Sequence, residues 1–520
     1  MDTVTPLLLD EDVRRWRQCD RWQWLHRQAP QAETPLPNQA QRAEAAVVGG
    51  PAPGEALAAS YPGARLISPV DADRSDPAFW TAALARTAEA LNENPPRPLI
   101  GACLAEPAQG LLARIDLMLP GSRGWRLVRV RHATAGDEID VDQLALWAEL
   151  AERRGLPVSA LTLALINTDF LYPGHGLYAG LYREVDLSEG RLSRSAWNWP
   201  AELRRLVGNT TEPTTPRGPQ CLQPVRCPCI AHCSAGAASA DAGDAAPATA
   251  DTTAQSALES LGRDLAAQLR DEGHHSLLDV PLARLREPRH QRVWRAVHEQ
   301  HLVVDPGAAA ALQALPGPRH FLRFETIGFA VPLWPGTRPY QVLPFQWSLT
   351  VQAAPGAPLQ HQHFLARPQD GDPRRAFATR LLAAVGTQGP LLAYNAGFER
   401  NRLRELAMAL DDLAAPLEAL QARIIDLFQL ARGHLYHPAM AGSWSARSVF
   451  DAIAPELHCG QFEVDGCHSP LAAFALSLRR HLDPATAQAL QAALVDHGQR
   501  LTLALLRLSE LLEAPGHAAP

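Results

Sequence analysis

The residues best placed to do chemistry in this chain are cysteines in two places. Cys19 lies near the start, and Cys221, Cys227 and Cys233 follow in the run GPQCLQPVRCPCIAHC, with five residues between each neighbouring pair. Thiolates bind zinc or iron–sulfur clusters, and ligand spacing discriminates between the two. Zinc ligands usually come in tight pairs. The wide gaps here, and a fourth ligand about 200 residues upstream, fit a cluster that clamps two ends of one domain. Zinc and free buried thiols are the competing readings. Cys229 is an extra thiol inside the run, either a spare or a substitute for Cys227. Cys103, Cys459 and Cys467 are isolated and read as buried thiols.

The rest of the chain must position these groups. At 520 residues it is long enough for two or three domains with separate cores. A net charge of −7 provides no global basic field, so nucleic-acid binding would need a local patch. No apolar run is long enough for a membrane span, and the acidic opening MDTVTPLLLDEDVRRW lacks a secretory h-region. The expected location is cytoplasmic, where eight cysteines argue for metal ligation or buried thiols over disulfides.

The expected architecture is α/β, in four stretches. Residues 1–233 form a domain ending at the cysteines. Residues 234–255, rich in Ala, Ser, Asp, Gly and Thr, form a flexible linker. Residues 256–316 are helical, with Leu258, Leu261, Leu265 and Leu269 at helical spacing and a second series at Val293, Val297 and Leu302. Residues 317–520 form the last domain, from the strand HFLRFETIGFAV to helices through LQAALVDHGQRLTLALLRLSELL.

RQCDRWQWLHRQAP resembles the opening of RecB-type iron–sulfur nucleases, the CRISPR-adaptation exonucleases among them. The order of later segments is similar to a bacterial domain-of-unknown-function family that joins such a PD-(D/E)XK module to an RNase H-like DEDD exonuclease module, and GGPAPGEALAASYPGARLI and GPQCLQPVRCPCIAHC resemble that family's glycine-led helix and cysteine signature. The resemblance implies a four-iron four-sulfur cluster on Cys19, Cys221, Cys227 and Cys233. It also implies two nuclease-like sites.

The first such site needs an Asp at one strand end and Glu-x-Lys on the next strand, to hold metal and activate water. LLARIDLMLP and GWRLVRVRHAT have the hairpin pattern, with Asp116 at the Asp position. The Glu-x-Lys positions read Arg129-Val130-Arg131. Arginine stays protonated and cannot serve as a base. Asp116 is expected to pair with Arg129 or Arg131, or the two arginines to clamp phosphate. Gln143, four residues before Trp147, sits where the family has a substrate-contacting Gln, and Asn167 continues the match.

The second site needs four carboxylates around two metals about 4 Å apart. The expected Asp-Phe-Glu-Thr reads Arg323-Phe324-Glu325-Thr326. LLAYNAGFERNRL keeps Tyr394, Asn395, Phe398 and Glu399, and Asp426 and Gly442-Ser443-x-Ser445 match later segments. In the last motif, HGQRLTLALL, Leu501 replaces the metal-binding Asp and His497 takes the general-base position; a solvent-facing helix histidine is the plainer reading. His361 and His363 sit on an expected strand without a complete ligand set.

The expectation is a degenerate nuclease-family protein, with Asp116, Glu325, Glu399 and Asp426 as residual catalytic positions. Arg129, Arg131, Gln143, Arg323, Asn395 and His497 are candidate contacts to DNA or RNA. Magnesium or manganese would be needed only if a nuclease site were intact. The alternatives are an active exonuclease using displaced carboxylates, and a protein–protein adaptor. Arginines without acidic neighbours would favour phosphate binding; arginines answered by carboxylates would favour inert cores.

Overall fold

The computed structural model describes residues 8–33, 53–69, 74, 76–191, 198–222, 227–235, 250–465, 467–478 and 482–513. The fold is mixed α/β, in two compact units. Unit 1 comprises Met1–Asp244 with Gly328–Gln341, and unit 2 comprises Ala245–Ile327 with Val342–Pro520. The boundaries drawn from sequence, at 233 and 317, differ in two respects. The helical stretch joins the last sheet in one unit, and residues 328–341 cluster with unit 1.

In unit 1, alternating Leu, Ile and Val build strands β1 (Leu8–Leu9), β2 (Arg65–Leu66), β3 (Leu99–Glu106), β4 (Leu111–Gly121), β5 (Gly124–Arg131), β6 (Val158–Ile166) and β7 (Tyr182–Asp186). They run in the order β2-β3-β4-β5-β6-β7, with β1 parallel to β4. Strands β4 and β5 form the expected hairpin, with Leu117 opposite Val128. Helices are α1 (Asp10–Gln18), α2 (Asp20–Gln28), α3 (Pro53–Ser60), α4 (Pro77–Leu91), α5 (Glu138–Arg153), α6 (Trp199–Gly208) and the short α7 (Ile230–Ala235). Leu144, Trp147, Leu150 and Ala151 of α5 are buried in one core with Ala113, Ile115 and Leu127 of the sheet.

In unit 2 the sheet runs β11 (Leu359–Leu365), β10 (Leu343–Gln352), β9 (Arg319–Ile327), β12 (Leu391–Ala393), β13 (Ile424–Asp426). The first three strands are antiparallel, and β12 runs parallel to both β9 and β13. A small ribbon pairs β8 (Val303–Val304) with β14 (Leu435–Tyr436). The helices that matter are α8 (Ala250–Glu259), α9 (Arg263–Asp271), α10 (Pro288–Glu299), α11 (Pro373–Val385), α12 (Gly397–Ala409), α13 (Leu427–His434), α14 (Ala446–Ile453), α15 (Pro470–Ser477) and α16 (Pro484–Glu513).

Three expectations need correction. The linker expected to reach 255 ends earlier, because α8 starts at Ala250 and buries Ala254; residues 236–249 lie outside the described set. The leucine series from Leu258 to Leu269 is broken into two helices at Gly262, whose φ of +114° leaves the helical region. The strand read through HFLRFETIGFAV stops at Ile327. Among the described residues no helix is long and apolar enough to cross a membrane.

Candidate functional site

Cys19 sits at the joint between α1 and α2 in an extended conformation, so the two helices share a thiol-bearing corner. The later cysteines approach through local backbone bonds. The amide of Cys227 donates to the Cys221 carbonyl at 2.8 Å, and that of Cys233 to Cys229 at 3.0 Å. Buried Leu25, Cys227 and Cys229 form a small apolar cluster, with Trp22, Trp24, Ile230 and Cys233 packed against it. Burial pushes the Cys233 thiol up to about 11; nearby Arg21 opposes this, while charge on Cys227, Cys19 and Cys221 adds to it. Cys233 is therefore within electrostatic reach of the other three thiols. Cys229 donates to Cys227 and thereby holds the Cys227 thiol below its ordinary range.

Arg21 bonds Glu212 at 2.6 Å, and His232 reaches the same carboxylate at 3.1 Å. Arg21 lies near Cys19 and Cys233, where it would offset negative charge on their thiolates. Among the described residues no three His, Cys, Asp or Glu side chains converge as ligands of a single ion. Cys103 and Cys459 are buried, as expected, and so is Cys467.

The site around Asp116 is closed by ion pairs, but not by the pairs expected. Asp116 on β4 accepts from the Val130 amide at 2.9 Å and from Arg114 at 3.1 Å. Arg129 and Arg131 turn instead to Asp140, with bonds of 2.6 and 2.8 Å to the same Oδ1. Asp140 belongs to a capping box at the start of α5: its amide donates to Asp137 at 3.1 Å and its Oδ2 accepts from the Asp137 amide at 2.9 Å. Burial works against its ionisation, but Arg129 and Arg131 outweigh it and hold the carboxyl below the ordinary range. Arg14 completes the group; burial and the charges of Arg129 and Arg131 bring it down to about 10.

Gln143 is not a surface contact for substrate. It is buried, and its amide donates to Asp10 at 2.8 Å, beside a 2.9 Å bond from the Trp147 indole to the same oxygen. The other Asp10 oxygen and Gln143 Oε1 are buried without hydrogen-bond partners. Burial raises the Asp10 pKa, against the charge of Arg74 and the bonds from Trp147 and Gln143. Asn167 holds the Gly180 carbonyl at 3.0 Å.

In unit 2, strand β9 presents Arg323 and Glu325, α12 presents Glu399, and α16 presents His497 and Leu501. The expected strand–turn–helix is there: Asn395, at φ +61°, ends the elbow between β12 and α12. Its side chain is exposed, and its backbone amide donates to Asp426 at 3.0 Å. Asp426 also caps α13 through the Phe428 amide at 3.0 Å. That carboxylate therefore ties the elbow to the next helix.

The Arg323 guanidinium lies between the two glutamates, 3.5 Å from Glu325 and 3.7 Å from Glu399. Glu399 has no exposed surface, and neither of its carboxylate oxygens meets a hydrogen-bond partner in good geometry. Burial lifts it to about 7, against the pull of Arg323. Burial also raises Glu325. His497 is buried, which overturns the solvent-facing reading; burial, with Arg500 and Arg323, brings it down to about 4. Leu501 packs into the apolar core.

Helix α16 can press on the sheet because residue 498 is glycine. A Cβ there would collide with Ser348 Oγ. Ser348 pairs with Arg323 on one side and His363 on the other, so all three share a row across the sheet. Thr502 bonds Thr350 at 2.7 Å, and Thr350 bonds His361 at 2.8 Å. His361 and His363 thus lie on β11, as expected, in a polar seam.

Sequence reasoning missed Asp140 and Asp10. The signal for Asp140 was available in Asp137-x-x-Asp140, a helix start following the two arginines. The signal for Asp10 was weaker, because a buried acid beside the acidic run Asp10–Asp12 looks like a solvated helix start.

One family model, described as "Domain of unknown function (DUF2779)", matches residues 320–445. That span holds Arg323, Glu325, Asn395, Glu399 and Asp426. No curated protein and no solved structure matches the chain.

Proposed function

We propose that this protein is a catalytically silent relative of metal-dependent nucleases, closed by an iron–sulfur cluster, that binds or scaffolds nucleic acid without cutting it. In this reading unit 1 is PD-(D/E)XK-like and unit 2 RNase H-like. The β4–β5 hairpin carrying Asp116, and the mixed sheet with three antiparallel strands beside two parallel ones, support those assignments.

The observation that carries the reading is Arg323 between Glu325 and Glu399. The two acids in the positions where divalent ions would be gripped share an internal cation. A metal entering there would meet a guanidinium at close range, and a leucine offers no ligand at 501. At the other pocket Asp140 answers both arginines, so these arginines serve the fold and not a phosphate. Asp426 is engaged in capping, which argues against its recruitment as a displaced ligand.

Cys19, Cys221, Cys227 and Cys233 would hold the cluster, which would supply a covalent tie between the α1–α2 corner and the end of unit 1. The test has two arms. Anaerobically purified protein should be brown, with about four irons per chain; colourless protein with stoichiometric zinc would refute the cluster. Single- and double-stranded DNA and RNA should remain intact with magnesium or manganese. Cutting that Glu325→Ala or Glu399→Ala abolishes would replace this reading with a working nuclease.

A further inference from the structure

Asp10 is the first residue of α1, and Cys19 caps the other end of the same helix. Whatever holds Asp10 therefore helps to set the corner that carries the thiol. Asp10 is buried, and its bonds run to Gln143 and Trp147, both buried residues of α5.

The hydrogen bonds at this anchor are incomplete for an ionised carboxylate. Oδ2 accepts both donors, from Gln143 Nε2 at 2.8 Å and from the Trp147 indole at 2.9 Å. Asp10 Oδ1 and Gln143 Oε1 are buried and accept none. A carboxylate oxygen and an amide oxygen are both acceptors, so neither can satisfy the other. Two bare acceptors in a buried site are costly. One proton completes the set: a neutral acid donates from Oδ1 to Gln143 Oε1 while Gln143 Nε2 donates to Oδ2.

We propose that Asp10 is a neutral acid joined to the Gln143 amide by two parallel hydrogen bonds, and that this ring anchors α1 and so positions Cys19. The charged groups around it are Glu11 on α1, Arg74 before α4 and Arg114 on β4, with the Cys103 thiol of β3 also in electrostatic reach. Arg74 and the amide end of α1 favour a charge on Asp10. Arg74, however, is answered by Glu11 at 2.7 Å, and burial outweighs its pull. Loss of the proton would set a buried charge beside the bare Gln143 oxygen and loosen the first turn of α1. The corner is therefore sensitive to rising pH. Its link to Cys19 rests on the reading of that thiol as a cluster ligand; the acid–amide ring does not.

Infrared spectra of the full chain in heavy water at about pH 8 test the ring. The parent should show a neutral-carboxyl carbonyl band that Asp10→Asn lacks. Asparagine offers an N–H where the acid offers an O–H, so that variant keeps both bonds. Its urea midpoint should rise relative to the parent as pH climbs above 3.8, because only the parent holds a proton that the unfolded chain releases. Gln143→Met, which takes the amide away, should lower the midpoint. None of these arms needs bound iron. Iron release to a chelator reads the positioning role: it should quicken with rising pH in the parent and change little in Asp10→Asn. The same carboxyl bands in both chains, or an Asp10→Asn chain less stable than the parent at about pH 8, would overturn the neutral acid in favour of an ionised Asp10 met by water. One shared pH profile of iron release would overturn the positioning of Cys19.

Discussion

Arg323 Nη1 lies 3.7 Å from Oε1 of Glu399, a carboxyl with no exposed surface. This one relationship organises the second pocket. The guanidinium offsets charge on two buried acids, and on the proposed reading it stands where a nuclease would hold metal. Breaking a buried pair from one side leaves an uncompensated charge and costs about 3–5 kcal/mol. Arg323→Leu should therefore destabilise unit 2 strongly at neutral pH, by urea unfolding. A change below about 1 kcal/mol would show that Arg323 does not neutralise this pocket.

Glu399 should make stability depend on pH in a defined direction. Its folded pKa is about 7 against an ordinary 4.5, so the folded state binds more protons between those values. Its contribution to stability is accordingly fully present below 4.5 and is lost as pH rises to 7. His497 acts oppositely: with a folded value of about 4 against 6.5, it costs stability as pH falls through that window. The charged groups facing the two are Arg323 and Glu325 on β9 and Arg500 on α16. Glu399→Gln should be more stable than the parent at pH 8, by on the order of 2 kcal/mol, with the difference vanishing near pH 4.5. Thermal melts at the two pH values check this, and a constant difference would contradict it.

Asp140 should matter more than Asp116. Asp140→Asn removes the shared partner of Arg129 and Arg131 beside Arg14, and should cost about 3 kcal/mol. Asp116→Asn keeps an oxygen for the Val130 amide and weakens one pair with Arg114, so its cost should be smaller. Chemical denaturation of both variants reads the order directly. The reverse order would place the charge balance of this pocket on the wrong acid.

The cysteines should separate by role. Serine at Cys19, Cys221, Cys227 or Cys233 should lower bound iron, because each would remove a cluster thiolate. Cys229→Ser should keep the iron, since Cys229 donates to Cys227 and leaves the ligands in place. Iron analysis and the visible spectrum decide. Iron lost from Cys229→Ser but kept in Cys227→Ser would exchange the roles of the two thiols.

Much of this was legible in sequence where a local pattern decides the structure. The hairpin around Asp116 follows from alternating apolar residues bounded by Gly121 and Gly124. The Tyr394-Asn395 elbow and the helix bearing Glu399 follow from a strand that ends in a residue tolerant of positive φ. Long-range pairing was not legible. Arg129 could have met Asp116 or Asp140, and only the packing of α5 on the sheet decides for Asp140. His497 lies on a helix that looks amphipathic, but the contact of Gly498 with Ser348 turns it inward. Residues 328–331 read as the end of a strand, yet they and the residues to 341 cluster with the other unit, which no local pattern announces.

On the proposed reading, Arg323 has taken the place of metal. Manganese binding, followed by the electron-spin signal of free Mn²⁺ during titration into the full chain, tests it most directly. No saturable site should appear below about 1 mM, the weak end of protein sites for divalent cations, in the parent or in Glu325→Ala and Glu399→Ala. A stoichiometric site in the parent that either substitution removes would contradict it.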